Sequence, residues 1–275
     1  MMPADNSPQD ITLFREKIWG FYHANGRAMP WRDAPTPFNV FLSEMMLQQT
    51  QVERVIPKYN AFLYTCDDFE LLAELPQSTV LSLWSGLGYN RRALYLHRAA
   101  NIIVSDHDNK LPDEVDVLTN LPGIGVNTAG AICAYVFNKP VVFVETNIRT
   151  VYIDHFFHDK DVDISDTIIK DLVERTLDME HPREWYWALM DYGSYLKKQG
   201  RAQIQRSAHY KKQSVFAGSA REMRGKIIKI LVGGPQNIET LKISVDADQR
   251  FDAALQSLKR DGLIDISDDD VCLTE

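Results

Sequence analysis

The sequence predicts an all-α protein body followed by a small α+β module at the C-terminal end. Apolar residues recur at helical spacing in several long runs. Prolines punctuate the chain at intervals that suit short helices joined by tight turns. Strand signals are confined to the last part of the chain, so the body is expected to contain helices alone.

Four runs in the first part of the chain have helical spacing, and they cover 11–23, 40–48, 52–62 and 93–104. The prolines expected to separate successive helices are Pro30, Pro35, Pro37, Pro57, Pro76, Pro112, Pro122, Pro140 and Pro182. A Gln-rich, basic stretch at 197–213 has few apolar residues, which predicts a loop or linker. We therefore expect one domain over 1–215 and a second over 216–275.

The segment after this boundary contains helical runs at 220–231 and 250–258, followed by strand-like segments at 263–266 and 271–273. Two helices followed by a hairpin predict a winged-helix-like module. A small α+β cap of another kind would have the same pattern.

Acidic and basic residues are unevenly distributed along the chain, which has 275 residues and a formal net charge of −8. An acidic balance argues against a protein that coats nucleic acid nonspecifically. Residues 191–226, however, contain nine basic side chains against two acidic ones, whereas the last thirty residues contain nine acidic against three basic. A polyanion is therefore expected to bind near the basic segment, away from the acidic C-terminal tip.

The three cysteines, Cys66, Cys133 and Cys272, are widely spaced, so neither a disulfide framework nor a cysteine metal cluster is expected. No apolar run approaches the roughly 18 residues that span a bilayer. The first ten residues lack the order of a signal peptide. We expect a cytoplasmic protein, associated with the nucleoid if the source is bacterial.

The segment Leu121-Pro122-Gly123-Ile124-Gly125 precedes an apolar run at 128–137. Proline fixes its own φ and glycine permits positive φ, so this turn can direct backbone N–H groups at a phosphate. An ordinary connector between helices would have the same residues.

A carboxylate at Glu44 lies within an apolar helical run. Burial would raise its pKa toward the range of a general acid, whereas a different helical rotation would expose it to solvent. Gln48 shares a helix face with Glu44, and Gln49 and Thr50 follow directly. A polar pocket is predicted at this helix end.

Four segments, 29–52, 83–89, 121–130 and 144–149, resemble the motifs of the helix-hairpin-helix (HhH-GPD) DNA glycosylases, in the same order and with matching separations. Within that superfamily the chain is most similar to the MutY-type adenine glycosylases, over about residues 10–195. The resemblance implies a helical glycosylase domain of two lobes with a cleft between them.

The resemblance also implies catalytic roles. Glu44 stands at the position of the family's general acid, and Glu145 stands where the family has an aspartate that stabilises the oxocarbenium-like sugar. Asn127 replaces the lysine of strand-cleaving relatives, which implies a monofunctional enzyme without Schiff-base chemistry. Alternatively, Asn127 could simply cap a helix beginning at Thr128.

The DNA-binding residues implied by the resemblance fall into several groups. Wedge residues enter the duplex, the hairpin and basic residues meet phosphates, and two residues lie near the base pocket. Each of these assignments has a purely structural alternative. Tyr89 could belong to the core, Trp31 and Arg32 could pack beneath a helix, and Arg91 and Arg92 could lie on a solvent-exposed helix face. The wedge and duplex-contacting residues are Gln48, Gln49, Thr50, Leu87 and Tyr89; the phosphate-contacting residues are Arg91 with Arg92, Leu121, Gly123, Gly125, Lys197 and Lys198; the pocket residues are Trp31 and Arg32.

The sequence departs from the family at the iron–sulfur cluster. The four cysteine positions are taken by Lys197, Ile204, Ser207 and Gln213, so no 4Fe-4S cluster is expected. The hairpin is a candidate for a monovalent cation held by backbone carbonyls, as in relatives; no other metal site is predicted. The sixty or so residues from Ser219 are too few for the larger domain with which typical relatives read 8-oxoguanine.

Together these features predict a monofunctional DNA glycosylase of base-excision repair that removes adenine mispaired with guanine or 8-oxoguanine. The expected partner is double-stranded DNA with a mismatched or damaged base, bound by a monomer, without a membrane. The alternatives are a thymine or uracil glycosylase acting on G:T or G:U mispairs and a noncatalytic sensor of DNA damage or structure.

Overall fold

The computed structural model describes residues 8–157, 164–202 and 216–275. In these ranges the chain is mainly helical, and the strands all lie in its last forty residues. The prediction of an all-α body with a small C-terminal sheet is confirmed. The elements are α1 (Pro8–Asn25), α2 (Pro30–Asp33), α3 (Pro37–Leu47), α4 (Val52–Thr65), α5 (Phe69–Glu74), α6 (Gln77–Trp84), α7 (Arg91–Asp106), α8 (Val115–Leu118), α9 (Val126–Phe137), α10 (Thr146–Phe156), α11 (Asp166–Thr176), α12 (Pro182–Lys198), α13 (Ala220–Leu231), β1 (Gln236–Asn237), α14 (Ile238–Val245), α15 (Phe251–Arg260), β2 (Ile264–Ser267) and β3 (Asp270–Leu273).

Proline is the first residue of helices α1, α2, α3 and α12. Its fixed φ suits the first helical turn, where its missing N–H would have no intrahelical acceptor. Pro57 was expected to separate two helices, but it lies inside α4. That expectation was wrong for Pro57: the surrounding packing of Val55, Tyr59 and Phe62, all fully buried, maintains the helix through the proline.

The chain divides into two compact units. The first takes its described residues from Met1–Thr36, Asp113–Thr119 and Gly125–Lys212. The second takes them from Pro37–Pro112, Asn120–Ile124 and Gln213–Glu275. The predicted domains, 1–215 and 216–275, followed the order of the chain instead, and an independently folding C-terminal domain stays a prediction.

In the first unit, α12 packs against α1, α9 and α10. Gly193 allows the approach of α12 to α10, because a Cβ atom there would lie 2.4 Å from the Asn147 carbonyl oxygen. The Phe14 ring of α1 lies 5.1 Å from the Tyr152 ring and 6.0 Å from the Trp185 ring, measured between centroids. The aromatic core thus joins α1, α10 and α12.

In the second unit, α7 packs against α3, α5 and α6. Trp84 is fully buried, and its ring meets that of Phe62 edge to face with centroids 6.3 Å apart. Phe41 of α3 and Phe69 of α5 meet in the same way at 5.3 Å. Apolar burial of these rings fixes α3, which has Glu44 on it.

The C-terminal module has the element order helix, strand, helix, helix and hairpin, which is that of a winged helix. The antiparallel sheet has the order β1-β3-β2, with Ile264 opposite Leu273 and Gln236 opposite Val271. The predicted winged-helix-like module is confirmed. The module packs on α6, where Gln77 Nε2 donates a hydrogen bond of 2.9 Å to the Gly262 carbonyl.

No helix among the described residues has the length and apolarity that a membrane crossing needs.

Arg92, on α7, is buried with only 7% of its surface exposed. The expectation that it meets phosphate together with Arg91 was wrong, because its guanidinium group points into the protein. Burial lowers the pKa of Arg92 to about 10, so the group remains charged at neutral pH. At 2.6–3.1 Å, its two terminal nitrogens donate to the carbonyl oxygens of Met45, Met46, Gln48 and Gly88 and to Thr50 Oγ1.

We predict that Arg92→Met lowers the free energy of unfolding by about 3 kcal/mol, because buried carbonyls would lose a charged donor. Urea denaturation measures the change. Arg91→Met is the matched control, since Arg91 is mostly exposed and its ion pair with Asp261 should be worth less than about 1 kcal/mol. Equal losses in the two variants would contradict the structural role of Arg92.

Candidate nucleic-acid interface and catalytic site

Glu44 lies on α3 among side chains that are almost all apolar and buried. Phe41, Leu42 and Met45 have no exposed surface, whereas Glu44 itself is half-buried. The helix rotation therefore places the carboxyl group at the edge of the apolar core, neither fully buried nor fully in solvent. A carboxyl group so placed has packed neighbours that restrict its orientation and keeps access to a ligand.

The C-terminal end of α3 is joined to the glycine-rich turn at 121–125. Gln48 Nε2 donates a hydrogen bond of 3.0 Å to the Gly123 carbonyl oxygen. Gln49 follows with a left-handed φ of 55° and an exposed side chain. The structure thus brings Gln48 and Gly123 together within the second unit, as a polar cluster at the end of the helix that includes Glu44.

Gly123 has the left-handed backbone that the sequence suggested, with φ of 79°. A Cβ atom there would lie 2.8 Å from Tyr95 Cβ and 2.9 Å from Met45 Cε. Leu121 is buried and anchors the turn, and the Ile124 amide closes it by donating to the Leu121 carbonyl at 3.2 Å. Gly125 is the exposed N-cap of α9.

The turn between α6 and α7 presents Tyr89. Gly86, Gly88 and Tyr89 all have positive φ, of 96°, 77° and 50°. Tyr89 is 38% exposed and so is not a core residue, whereas Leu87 is 3% exposed. Of the two wedge residues predicted on this turn, Tyr89 is accessible and Leu87 is buried.

Two neighbours stabilise this wedge turn. Arg54 donates from its guanidinium group to the Gly86 carbonyl, and the Trp84 indole N–H donates to the Gly88 carbonyl at 3.2 Å. Arg91, at the start of α7, is mostly exposed and lies 3.2 Å from an Asp261 carboxylate oxygen. No pattern in the sequence predicted this pairing of Arg91 with the C-terminal module.

Glu145 and Asn127 belong to the first unit, unlike Glu44. Glu145 is the N-cap of α10, and its side chain makes no capping hydrogen bond. The Asn127 side-chain oxygen accepts a long hydrogen bond of 3.5 Å from the Val144 amide, which places it beside the residue that precedes Glu145. The alternative that Asn127 caps a helix at Thr128 was wrong, because α9 begins at Val126.

The charge of Glu145 is set by opposing effects. Burial raises its pKa, and the positive charges of Arg149 and Lys197 act against that rise. The Arg149 guanidinium group is also bound at two points by the Asp166 carboxylate, at 2.7 and 2.6 Å. Lys197 Nζ donates to Asn147 Oδ1 at 2.6 Å, and burial lowers the Lys197 pKa against the opposing effect of Glu145.

The sequence is similar to those of known proteins. Residues 42–176 match the model of the "HhH-GPD superfamily base excision DNA repair protein". The adenine DNA glycosylase of Mycolicibacterium smegmatis is 31% identical over 270 residues, which cover 90% of this chain and 92% of that protein. This chain belongs to the HhH-GPD superfamily.

A second relative is the adenine DNA glycosylase of Buchnera aphidicola subsp. Baizongia pistaciae, 33% identical over 189 residues. That match covers 67% of this chain but 53% of the relative, so the chain spans about half the length of that protein.

Solved structures support the HhH-GPD fold. A thermostable thymine-DNA glycosylase superposes with a TM-score of 0.63 at 21% identity, covering 74% of this chain and 96% of that one. A non-covalent endonuclease III–DNA complex gives a TM-score of 0.59 at 15% identity, covering 70% of this chain and 87% of that one. At these identities, the similarity concerns the fold alone.

The residues at the family's cluster positions do not fit an iron–sulfur cluster, which needs thiolate ligands. Lys197 has an amine, bound to Asn147 as described. Ile204, Ser207 and Gln213 lie outside the described residues and have no thiol groups. Cys66, Cys133 and Cys272 are free, and the part of the chain that the structure describes shows no group of three or more His, Cys, Asp and Glu side chains suited to a metal.

The predicted base-pocket residues, Trp31 and Arg32, both pack or pair with other residues of the first unit. Trp31 is buried, with 5% of its surface exposed. The Arg32 guanidinium group binds both oxygens of the buried Asp191 carboxylate, at 2.9 and 3.0 Å, and lies 5.3 Å from the Trp187 ring centroid. Arg27 binds the same carboxylate at 2.7 Å. A base-pocket role for Trp31 and Arg32 stays a prediction.

We predict that Gly123→Ala destabilises the protein by about 2 kcal/mol, because the new methyl group would clash and the backbone φ is unfavourable for alanine. Thermal and urea unfolding measure the loss. Gly125→Ala is the matched control, since a Cβ atom at Gly125 would meet nothing within 4 Å. Similar stability of the two variants would refute the close packing around Gly123.

We also predict that Lys197→Met raises the pKa of the Glu145 carboxyl group further, because the variant removes a positive charge that favours the carboxylate. Titration followed by NMR of the labelled side-chain carboxyl carbon measures this pKa without any need for enzymatic activity. Lys198→Met serves as control. An unchanged or lower pKa in Lys197→Met would show that Lys197 is not a counter-charge of Glu145.

Proposed function

We propose that this protein is a monofunctional DNA N-glycosylase that hydrolyses the glycosidic bond of adenine mispaired with guanine or 8-oxoguanine. Both sequence relatives described above are named adenine DNA glycosylases. The observation on which the proposal rests is Glu44, a half-buried carboxyl group on a helix whose buried side chains are apolar apart from Ser43. The neighbouring Gln48 joins that helix to the Gly123 turn.

Glu44 is the general acid of the proposed reaction. Adenine departs poorly as an anion, so protonation of its ring by a positioned carboxyl group lowers the barrier to cleavage. The same group, once ionised, accepts a proton from the water molecule that attacks the sugar. Fully buried neighbours on α3 hold Glu44 in place for both steps.

Glu145 stabilises the positive charge that develops on the sugar as the glycosidic bond breaks. Its side chain is one methylene longer than the aspartate of the family. Because Glu145 makes no capping bond to the first turn of α10, its carboxylate is not committed to the helix backbone. Burial raises the pKa of the Glu145 carboxyl group, and the nearby charges of Arg149 and Lys197 oppose that rise, in the direction of the ionised form that this role requires.

Hydrolysis ends the proposed reaction. A Schiff base with the abasic sugar needs an amine, and Asn127 presents an amide at the position of the lysine of strand-cleaving relatives. Strand scission at the abasic product therefore needs added alkali.

The proposed substrate is duplex DNA, bound through the exposed surfaces of both units. In the second unit these are the wedge turn with Tyr89, the exposed Gln49 and the mostly exposed Arg91. In the first unit they are Gly125 at the start of α9 and Lys198 at the end of α12. Cationic side chains and a helix N-terminus are suited to phosphates.

The test is single-turnover base release from duplexes with adenine opposite 8-oxoguanine, adenine opposite guanine, thymine opposite guanine and uracil opposite guanine. We predict adenine release from the first two, and a loss of about 100-fold or more in Glu44→Gln, since general acid catalysis contributes that much. Glu53→Gln is the matched control, because Glu53 is an exposed glutamate on the next helix.

Two other results would contradict the proposal. Release of thymine or uracil in place of adenine would identify a mismatch-pyrimidine glycosylase. Tight duplex binding with no base release, and no difference between Glu44→Gln and the unmodified protein, would identify a noncatalytic sensor.

A further inference from the structure

We propose that Arg221, on the first turn of α13, is a positioning residue for Tyr89, so that the C-terminal module takes part in distorting the duplex. The proposal rests on the proposed function, in which Tyr89 enters the DNA at the target base. In this proposal the winged-helix-like module contributes to distortion of the duplex without itself contacting a DNA base.

The contact joins two residues that are 132 positions apart in the chain and lie in the same compact unit. Arg221 Nη1 donates a hydrogen bond of 2.5 Å to the Tyr89 hydroxyl oxygen. The Arg221 guanidinium carbon also lies over the Tyr89 ring, 5.5 Å from its centroid. One side chain therefore holds both the polar tip and the aromatic face of the tyrosine.

Arg221 is itself held at a fixed point, because the start of α13 is well capped. The Ser219 side chain accepts a hydrogen bond from the Glu222 amide, and Glu222 Oε2 accepts one of 2.7 Å from the Gly218 amide. Arg250 lies 3.3 Å from the same carboxylate. These bonds resemble a capping box, which fixes the first turn of a helix and the side chains on it.

The Tyr89 backbone needs such support. Its φ of 50° lies in the left-handed region, which a residue with a bulky side chain rarely adopts. A second guanidinium group, that of Arg92, lies 5.7 Å from the Tyr89 centroid. Arg92 is fixed by the end of α3, so the ring is contacted from the body of the unit and from the C-terminal module.

Pre-orientation of Tyr89 has a direct consequence for binding. An aromatic side chain that is ordered before it meets DNA loses less conformational entropy on insertion than a freely rotating one. Because Tyr89 is 38% exposed despite these contacts, part of its surface remains available to stack on a base. Arg221 therefore favours the distorted complex without replacing any catalytic group.

The test uses the full chain in a Glu44→Gln background and a duplex with 2-aminopurine beside an adenine opposite guanine. The rise in 2-aminopurine fluorescence reports local unstacking whether or not the protein releases a base. Failure of the proposed function is recognised separately, by measuring base release with the protein that retains Glu44. The variants are Arg221→Ala, Tyr89→Ala and the double substitution. Lys229→Ala is the matched control, because Lys229 is an exposed basic side chain on the same helix, α13.

We expect Arg221→Ala to weaken formation of the fluorescent complex about tenfold, since it removes a charged hydrogen bond and a stacking contact. The double variant should be no weaker than Tyr89→Ala alone, and Lys229→Ala should match the unsubstituted background. Tyr89→Phe, which keeps the ring and removes the hydroxyl group, should show an intermediate loss. The Arg221→Ala loss should persist at high salt, because the contact is made within the protein.

Three results would overturn the proposal. The first is an unchanged fluorescence response in Arg221→Ala. The second is an undiminished effect of Arg221→Ala in the Tyr89→Ala background, which would show that Arg221 binds DNA directly. The third is a loss that disappears at high salt, as expected for a phosphate contact.

Discussion

The buried guanidinium group of Arg92 is the interaction on which the candidate interface depends. It gathers the carbonyl groups that end α3, and it also binds the Gly88 carbonyl of the wedge turn. Burial of a charge is costly, and the lowered pKa of Arg92 reflects that cost. The partial negative charge at a helix C-terminus offsets part of it. One charge thereby fixes the helix with Glu44, the following turn and the wedge.

The two candidate catalytic carboxyl groups have different surroundings. Glu44 is half-buried beside fully buried apolar side chains. Burial raises the pKa of Glu145, and the positive charges of Arg149 and Lys197 oppose that rise and so favour the anion that would stabilise a cationic sugar. Glu44 belongs to the second compact unit and Glu145 to the first.

Lys197 illustrates how the chain departs from its family. At a position where the family resemblance implies a cluster thiolate, the Lys197 ammonium group binds Asn147 on α10. Arg201, just beyond the end of α12, forms an ion pair at 2.9 Å with the buried Asp154, which also lies on α10. Polar contacts of this kind join the end of α12 to α10 locally, each with a modest net free energy.

The sequence alone determined the features that depend on local pattern. Helical periodicity located several of the helices, and Pro and Gly located the turn at Gly123. The motifs indicated Glu44 and Glu145 as candidate catalytic residues. Adjacent Arg91 and Arg92 looked alike in sequence, yet one is exposed and the other buried, because successive helical residues face different directions. Apart from Gly88, the residues that accept hydrogen bonds from Arg92 lie more than forty positions away in the chain. Likewise, β1 has two residues, too few for a detectable alternation, and its pairing with β3 exists only in the folded sheet. Tertiary structure alone decided which charge is buried and that Arg221 meets Tyr89, because side-chain partners distant in the chain leave no periodic signal.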